Sequence, residues 1–136
     1  MATVNCYLSF DGTCEAAFNF YKSAFGGEFC SVYRYSDMPP SEHVIPESDQ
    51  NKIMHISLPV SMETMLMGCD MSDGYTAGNN VSICISPETA EEAQRLYDAL
   101  SEGGSIIMPL EKTFWAALFA MFTDPFGITW LISFEG

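Results

Sequence analysis

The alternation of apolar and polar residues along this chain predicts a series of short β-strands. Residues 4–10 place Val4, Cys6, Leu8 and Phe10 on one face and Asn5, Tyr7 and Ser9 on the other. Further strands are predicted at residues 28–35, 53–60, 63–70, 80–86 and 105–110. In the strand at residues 53–60, His55 and Ser57 alternate with Met54, Ile56, Leu58 and Val60. The strands at residues 4–10 and 53–60 therefore each have one face suited to a core and one polar face.

Residues 112–134 predict a β-hairpin. Two uncharged apolar runs, 114–122 and 128–134, flank the turn sequence Asp124-Pro125-Phe126-Gly127. Proline presets φ at the second position of such a turn, and glycine closes it. Because both runs are aromatic and β-branched, we expect both strands to be largely buried. A hairpin is not stable alone, so the rest of the chain has to pack against it.

Two helices are predicted between the strands. The first covers residues 14–25, with Thr13 as its N-cap and Gly26-Gly27 at its end. Helical spacing predicts that it buries Ala17, Phe20, Tyr21 and Ala24. The second is predicted to begin at Pro87 and Glu88 and to end at Gly103-Gly104.

The order strand, helix, Gly-Gly and three strands occurs twice, which predicts a duplicated βαβββ module. In the two helices, Ala17 corresponds to Ala93, Phe20 to Leu96 and Tyr21 to Tyr97. We interpret residues 1–136 as a single domain, with module one at about 1–70 and module two at about 79–136. Two unrelated supersecondary units are the alternative.

A polar, proline-containing segment at residues 36–51 is predicted to be a long loop. Loops of this length in compact domains often form lids or binding loops, and an ordinary surface loop is the alternative.

Composition and charge narrow the classes of partner. With 48% hydrophobic and 13% aromatic residues, the chain is expected to be globular. Its net charge is −13, and its five basic residues are scattered, so neither nucleic acid nor a highly anionic substrate is an expected partner. No apolar run approaches the ~18 residues that a membrane helix requires. No signal-peptide pattern is present, and we expect a cytoplasmic protein without a membrane partner.

The five cysteines are expected to be reduced thiols, because their number is odd and no Cys-x-x-Cys pair occurs. Cys14 lies at the start of the first predicted helix, where a thiolate would be stabilised. Burial as a small apolar side chain is the favoured interpretation of this cysteine, and a reactive thiolate is the alternative.

Several local motifs resemble the PhnB-like branch of the vicinal oxygen chelate superfamily. They are YLSFDGTCEAA (7–17), FYKSAFGGE (20–28), MHI (54–56), MGCD (67–70), EGGSIIMPL (102–110), TFWA (113–116) and TDPFGITW (123–130). The superfamily includes glyoxalase I, bleomycin-resistance proteins and extradiol dioxygenases. The resemblance implies an α+β fold of two βαβββ modules, with curved mixed sheets around a cleft and helices outside. It also implies a homodimer.

The resemblance and the strand alternation together predict which side chains line that cleft. These are Asn5, Tyr7, Ser9, His55, Ser57, Asn80, Ser82, Cys84, Thr129, Leu131 and Ser133. Trp115 is a candidate for stacking on a planar ligand, with core or dimer packing as the alternative. Tyr33 could bind a ligand or be structural. Asp70 could bind a ligand hydroxyl or cap a turn, and Trp130 is expected in the core.

Members of the superfamily hold a divalent metal with one side chain from each of four strands. The resemblance places these positions at approximately Asn5, His55, Asn80 and Leu131. Only His55 is a competent ligand, and a register slip of two residues, to Tyr7, Ser57, Ser82 or Thr129, does not supply the others. We therefore expect no tightly held metal and no other cofactor.

These observations favour a metal-independent protein that binds a small molecule. One alternative is a glyoxalase- or dioxygenase-type metalloenzyme in which His55 is the catalytic residue. A second is a structural or regulatory dimer with a vestigial cleft. Some PhnB-like sequences are also named methyltransferases, but the chain has no glycine-rich strand–helix loop that would support methyl transfer.

Overall fold

The computed structural model describes residues 2–39, 45–71 and 73–136. The chain divides into two compact units, Met1–Thr76 and Ala77–Gly136. The first unit contains β1 (Cys6–Phe10), α1 (Cys14–Phe25), β2 (Ser31–Arg34), β3 (Ile53–Pro59) and β4 (Met65–Asp70). The second contains β5 (Ile83–Ile85), α2 (Ala90–Ser101), β6 (Ser105–Glu111), β7 (Leu118–Thr123) and β8 (Thr129–Phe134).

The two units have the same topology. Their four-stranded sheets have the orders β1-β4-β3-β2 and β5-β8-β7-β6. In each sheet the first strand pairs parallel with the last, and the other neighbours are antiparallel. The structure therefore confirms the predicted α+β fold of two βαβββ modules.

Helix α1 has the predicted bounds but presents a different aromatic residue to the core. Phe18 is fully buried, whereas Phe20, the predicted core residue, is half-buried at the edge. The reason is a close approach to β4: a Cβ atom at Gly68 would lie 2.8 Å from the Phe18 ring. The absence of a side chain at Gly68 thus lets Phe18 lie flat against the sheet.

The N-terminus of α1 is capped by a residue distant in sequence. Thr13 occupies the predicted N-cap position, but its side chain makes no capping hydrogen bond. Instead, Asp70 Oδ1 accepts from the Cys14 N–H at 2.9 Å, and Oδ2 accepts from the Ile53 N–H at 3.0 Å. The buried Asp70 carboxylate therefore joins the ends of α1, β3 and β4.

A β-bulge in β3 interrupts the predicted alternation. Tyr33 is opposite His55, but Arg34 is opposite Ile53, so Met54 is the extra residue. As a result both Ile53 and Ile56 are buried, although strict alternation would place them on opposite faces.

The second unit encloses its own core between α2 and the hairpin strands. Ala120, Phe122, Trp130 and Ile132 are buried with Ala93, Leu96 and Leu100 of α2. The hairpin turn has the predicted form, with a hydrogen bond from the Asp124 N–H to the Ile128 carbonyl. Trp130 is in the core, as expected, and its Nε1–H donates to Asp124 Oδ2 at 2.9 Å.

Several elements of the second unit are shorter than predicted. Helix α2 begins at Ala90 rather than at Pro87, because Thr89 is the N-cap and accepts from the Glu92 N–H. Strand β7 begins at Leu118, after a turn in which the Ala116 N–H donates to Thr113 Oγ1. Phe114 therefore lies outside the strand and is 96% exposed, so its predicted burial is wrong.

The two ends of the loop after β2 are joined by backbone hydrogen bonds. Tyr35–Asp37 and Glu47–Asp49 form 3₁₀ turns, and the Ser36 N–H donates to the Gln50 carbonyl at 2.9 Å. Residues 40–44, including His43, lie outside the described residues, so a lid at 36–51 stays a prediction. In the part of the chain that is described, no helix is long and apolar enough to cross a membrane.

Candidate functional site

A group of half-buried and exposed side chains covers one face of the first sheet, and we call it the Tyr7 face. It comprises Tyr7 and Ser9 of β1, Met67 and Cys69 of β4, His55 of β3 and Tyr33 of β2. Tyr7 is opposite Met67, Ser9 is opposite Cys69, and Tyr33 is opposite His55. This face lies away from α1, because α1 packs through Phe18 against Gly68, which alternates with Met67 and Cys69.

Two of the predicted site residues, Tyr7 and His55, meet on this face. Their rings lie 5.9 Å apart, and the Tyr7 hydroxyl is 3.5 Å from His55 Nδ1. This distance is at the outer limit of a hydrogen bond, so the interaction is weak. Tyr7 is also 50% exposed. The phenol and the imidazole therefore keep hydrogen-bonding capacity for a third molecule.

Tyr7 remains a protonated phenol well above neutral pH. Partial burial and, after it, a hydrogen bond with the Cys69 side chain raise the pKa of Tyr7 to about 12. At neutral pH the group is thus a neutral donor and acceptor rather than an anion.

Two further candidates in the first unit, Asn5 and Ser57, form hydrogen bonds within the sheet. Asn5 precedes β1, and its Oδ1 accepts from the Met65 N–H at 2.8 Å. Ser57 is buried, and its hydroxyl is 2.8 Å from that of Ser31. Both residues therefore stabilise the sheet through these hydrogen bonds.

Sequence reasoning missed Cys69 and Met67 as members of the face. The signal was present, because β4 alternates half-buried and buried residues along its whole length. Both residues lie on β4, the strand between β1 and β3, so their side chains share this face with those of Tyr7 and His55.

Cys14 is excluded as a reactive thiol. It is fully buried, and burial followed by the charge of Asp70 raises the pKa of the Cys14 thiol. The thiolate interpretation from its helix position is wrong, because desolvation outweighs the helix dipole. Asp70 is likewise structural, since both carboxylate oxygens accept backbone N–H groups.

The predicted residues of the second unit do not form a comparable polar group. Cys84 and Leu131 are opposite each other, and Met121 is opposite Leu131 on the other side. Thr129 is the first residue of β8, and its hydroxyl is 3.4 Å from that of Thr123. Asn80 and Ser82 precede β5 and are exposed, so the predicted strand 80–86 is wrong at its start.

Trp115 belongs to a separate aromatic cluster in the second unit. Its ring packs edge-on against Phe114 at 4.8 Å and against Phe119 at 5.3 Å. It is 50% exposed, so it does not lie in the core, and both stacking on a ligand and packing in a dimer stay predictions. A cavity of about 410 Å³ lies elsewhere in this unit, lined by residues 86–88 and 133–136, which include Ser133 but no other predicted site residue.

The residues at the superfamily's metal positions do not fit a divalent ion. Asn5 Oδ1 is bonded to a backbone N–H, Asn80 is exposed outside its strand, and Leu131 offers only hydrocarbon. His55 alone is a competent ligand. Among the described residues there is also no group of three or more His, Cys, Asp or Glu side chains placed to hold a metal.

Comparisons with known proteins agree with the fold. Residues 3–132 match the model of the Glyoxalase/Bleomycin resistance protein/Dioxygenase superfamily. The crystal structure of protein PA1353 from Pseudomonas aeruginosa is similar, with a TM-score of 0.88 and 38% identity over 99% of this chain and 98% of that one. A PhnB protein from Bacillus cereus, whose name also proposes a 3-demethylubiquinone-9 3-methyltransferase activity, has a TM-score of 0.78 and 25% identity over 98% and 99% of the two chains.

A curated relative supports the same assignment. Protein YjdN of Escherichia coli (strain K12) is 28% identical over 134 residues, which cover 93% of this chain and 91% of the relative. The repeated βαβββ topology, the match over nearly the whole chain and these relatives lead to one conclusion. The chain belongs to the glyoxalase/bleomycin resistance protein/dioxygenase superfamily.

Proposed function

We propose that the protein binds a small organic molecule on the Tyr7 face and does so without a tightly held metal. The observation that carries this proposal is the Tyr7–His55 pair, which is exposed and only weakly hydrogen-bonded. Structural polar pairs in the same sheet, such as Ser31 and Ser57, are much closer.

The chemistry of the face suits a planar ligand. Tyr7 and Tyr33 are each 50% exposed, and a half-exposed phenol offers apolar ring area together with a hydroxyl. His55 adds a ring nitrogen that can donate or accept, depending on its tautomer. Met67 adds a flexible, polarisable side chain that adapts to different shapes. Binding by such groups needs no metal, in agreement with the poor donor set at the superfamily's metal positions.

Thermal-shift measurements with and without a chelator test this function. Aromatic and dicarbonyl compounds are expected to raise the melting temperature equally in both conditions, and His55→Ala and Tyr7→Phe should reduce the shift. Asn19→Ala is the matched control, because Asn19 is exposed on α1, on the other side of the sheet. A shift caused by divalent metal and lost in His55→Ala would instead support the metalloenzyme. No shift with any compound would favour a structural dimer.

We also propose that the protein is a homodimer. The edge strand β6 exposes Ile106 and Ile107 at 52% and 55%, which is unusual for an edge that faces solvent. Light scattering is expected to give twice the chain mass of 15.0 kDa. A monomeric mass at micromolar concentration would contradict this proposal and leave the binding proposal intact.

A further inference from the structure

We infer that the Tyr7 face selects planar ligands that carry a positive charge or none, and that it rejects anions. This inference rests on the proposed binding function and specifies its ligand class. Two observations support it: the positions of the lysine and arginine side chains in the first unit, and the aromatic and polar groups on the Tyr7 face.

Every lysine and arginine of the first unit is already paired with a carboxylate. Lys22 pairs with Glu28 at 3.1 Å, and Lys52 pairs with Asp49 at 2.8 Å. Arg34 binds both carboxylate oxygens of Glu15, and its guanidinium also donates to the Asn51 carbonyl. A ligand anion would have to compete with these partners for a cation.

These cations also lie away from the Tyr7 face. Lys22 is on α1, and the Arg34 guanidinium reaches Glu15 on the same helix, which packs on the opposite side of the sheet. The Lys52 side chain lies at the β1–α1 turn, since a Cβ at Gly12 would be 3.8 Å from its Cε. Within the described residues of the first unit, therefore, no lysine or arginine is placed to bind an anion on this face.

The face itself offers aromatic rings, hydroxyl and thiol groups and the imidazole of His55. The rings of Tyr7 and Tyr33 present negative quadrupole faces, which attract cations. Because Tyr7 remains protonated, the face carries no phenolate that would demand a cationic ligand, and neutral ligands stay acceptable. The chain's net charge of −13 adds a long-range potential that concentrates cations and repels anions.

A series of ligands with one ring system and three charges tests the inference. The probes are 2-naphthamidine, 2-naphthamide and 2-naphthoate, with binding followed by NMR at the Tyr7 and His55 signals. We expect the cation to bind about two- to fivefold more tightly than the neutral amide, as exposed cation–π contacts allow. The carboxylate should bind at least about tenfold more weakly than the amide.

Two variants of equal charge separate a local effect from the effect of net charge. Ser9→Lys places a cation on the Tyr7 face, whereas Asn19→Lys places it on the exposed side of α1. Ser9→Lys should bring 2-naphthoate binding up to that of the amide, and Asn19→Lys should leave the order of the three probes unchanged. Should Ser9→Lys fail to fold, salt takes its place: raising NaCl from about 0.05 to about 0.5 M should narrow the gap between cation and anion.

The outcomes distinguish this inference from the function on which it rests. If 2-naphthoate binds the wild-type face as tightly as the amide or more tightly, the charge selectivity is wrong and the binding function stands. If none of the three probes perturbs Tyr7 or His55, both proposals are overturned. The expected order, altered by Ser9→Lys and not by Asn19→Lys, supports both.

Discussion

In the first unit, the sheet face away from the helix carries a phenol and an imidazole among its hydroxyl, thiol and thioether groups, whereas the matching face of the second unit carries hydroxyl, thiol, thioether and hydrocarbon groups but no phenol or imidazole. His55 and Tyr33 are neighbours in the first sheet, and Leu131 and Met121 are neighbours in the second. The backbone topology of the two sheets is the same. The difference therefore lies in side chains that the fold does not fix.

The sheet and helix of each unit, which we call its frame, are stabilised by similar means in the two units. Each contains a buried aspartate whose carboxylate accepts several N–H groups: Asp70 in the first unit and Asp124 in the second. Asp124 accepts from the N–H groups of Phe126 and Ile128 and from the indole of Trp130. Each unit is thus stabilised by a buried aspartate of the same kind, whereas the side chains on the exposed sheet faces differ. We therefore place the binding chemistry on the face that carries Tyr7 and His55.

The largest expected effect tests the similarity of the two frames. Asp70→Asn and Asp124→Asn each replace an acceptor oxygen by an NH₂ group that faces an N–H donor. Each should lower the free energy of unfolding by about 3 kcal/mol, the cost of losing a charged acceptor and leaving a buried donor unpaired. Chemical denaturation measures this effect. Asp73→Asn, at an exposed position, is the control and should change little. A tolerated Asp124→Asn beside a damaging Asp70→Asn would show that the frames are not equivalent.

A smaller effect tests the difference between the faces. The pKa of Tyr7 is raised above the value of about 10 expected for an unfolded tyrosine. The folded state therefore favours the protonated phenol. The stability that Tyr7 contributes is fully present below pH 10 and is lost as the pH rises towards 12.

NMR of labelled tyrosine rings should show one signal that titrates near pH 12 and disappears in Tyr7→Phe. Tyr97→Phe is the matched control, because Tyr97 belongs to α2 and packs on Phe122 in the second unit. If the Tyr7 signal titrates near pH 10, the phenol is as hydrated as in an unfolded chain, and its hydrogen bond with Cys69 does not form.

The topology could be predicted from the sequence because it depends on local patterns. The bounds of α1 follow from helical periodicity and the Gly-Gly stop, and the hairpin follows from the Asp-Pro-Phe-Gly turn. Strand ends could not be predicted in the same way. Strand β7 starts late because of the Thr113–Ala116 turn, whose side-chain hydrogen bond no hydrophobic pattern records.

The candidate site was predictable only in part, for a related reason. Alternation identified Tyr7 and His55, which share a face by parity. The helix cap by Asp70 and the hydrogen bond of Asn5 to Met65 join segments far apart in sequence, so neither could be read from local propensity. The bulge at Met54 similarly changes which residues are buried without a local signal.

The smallest expected effect concerns an ion pair that links α1 to β2. The two side chains, Glu15 and Arg34, are 53% and 34% exposed, and hydrogen bonding to Arg34 lowers the pKa of Glu15. A lowered folded-state pKa means that the stability is present above the unfolded value of about 4.3 and is lost as the pH falls through the folded value. Because solvent screens the pair, Glu15→Gln should cost no more than about 0.5 kcal/mol at pH 7.

Denaturation of wild type and Glu15→Gln at pH 7 and pH 3 measures this cost, and the two should converge at the lower pH. Glu28→Gln is the comparison, since Glu28 is 86% exposed in its pair with Lys22 and should contribute less. A loss of several kcal/mol in Glu15→Gln would mean that the pair is a main support of the first unit. In that case the two units would differ in their frames as well as in their faces.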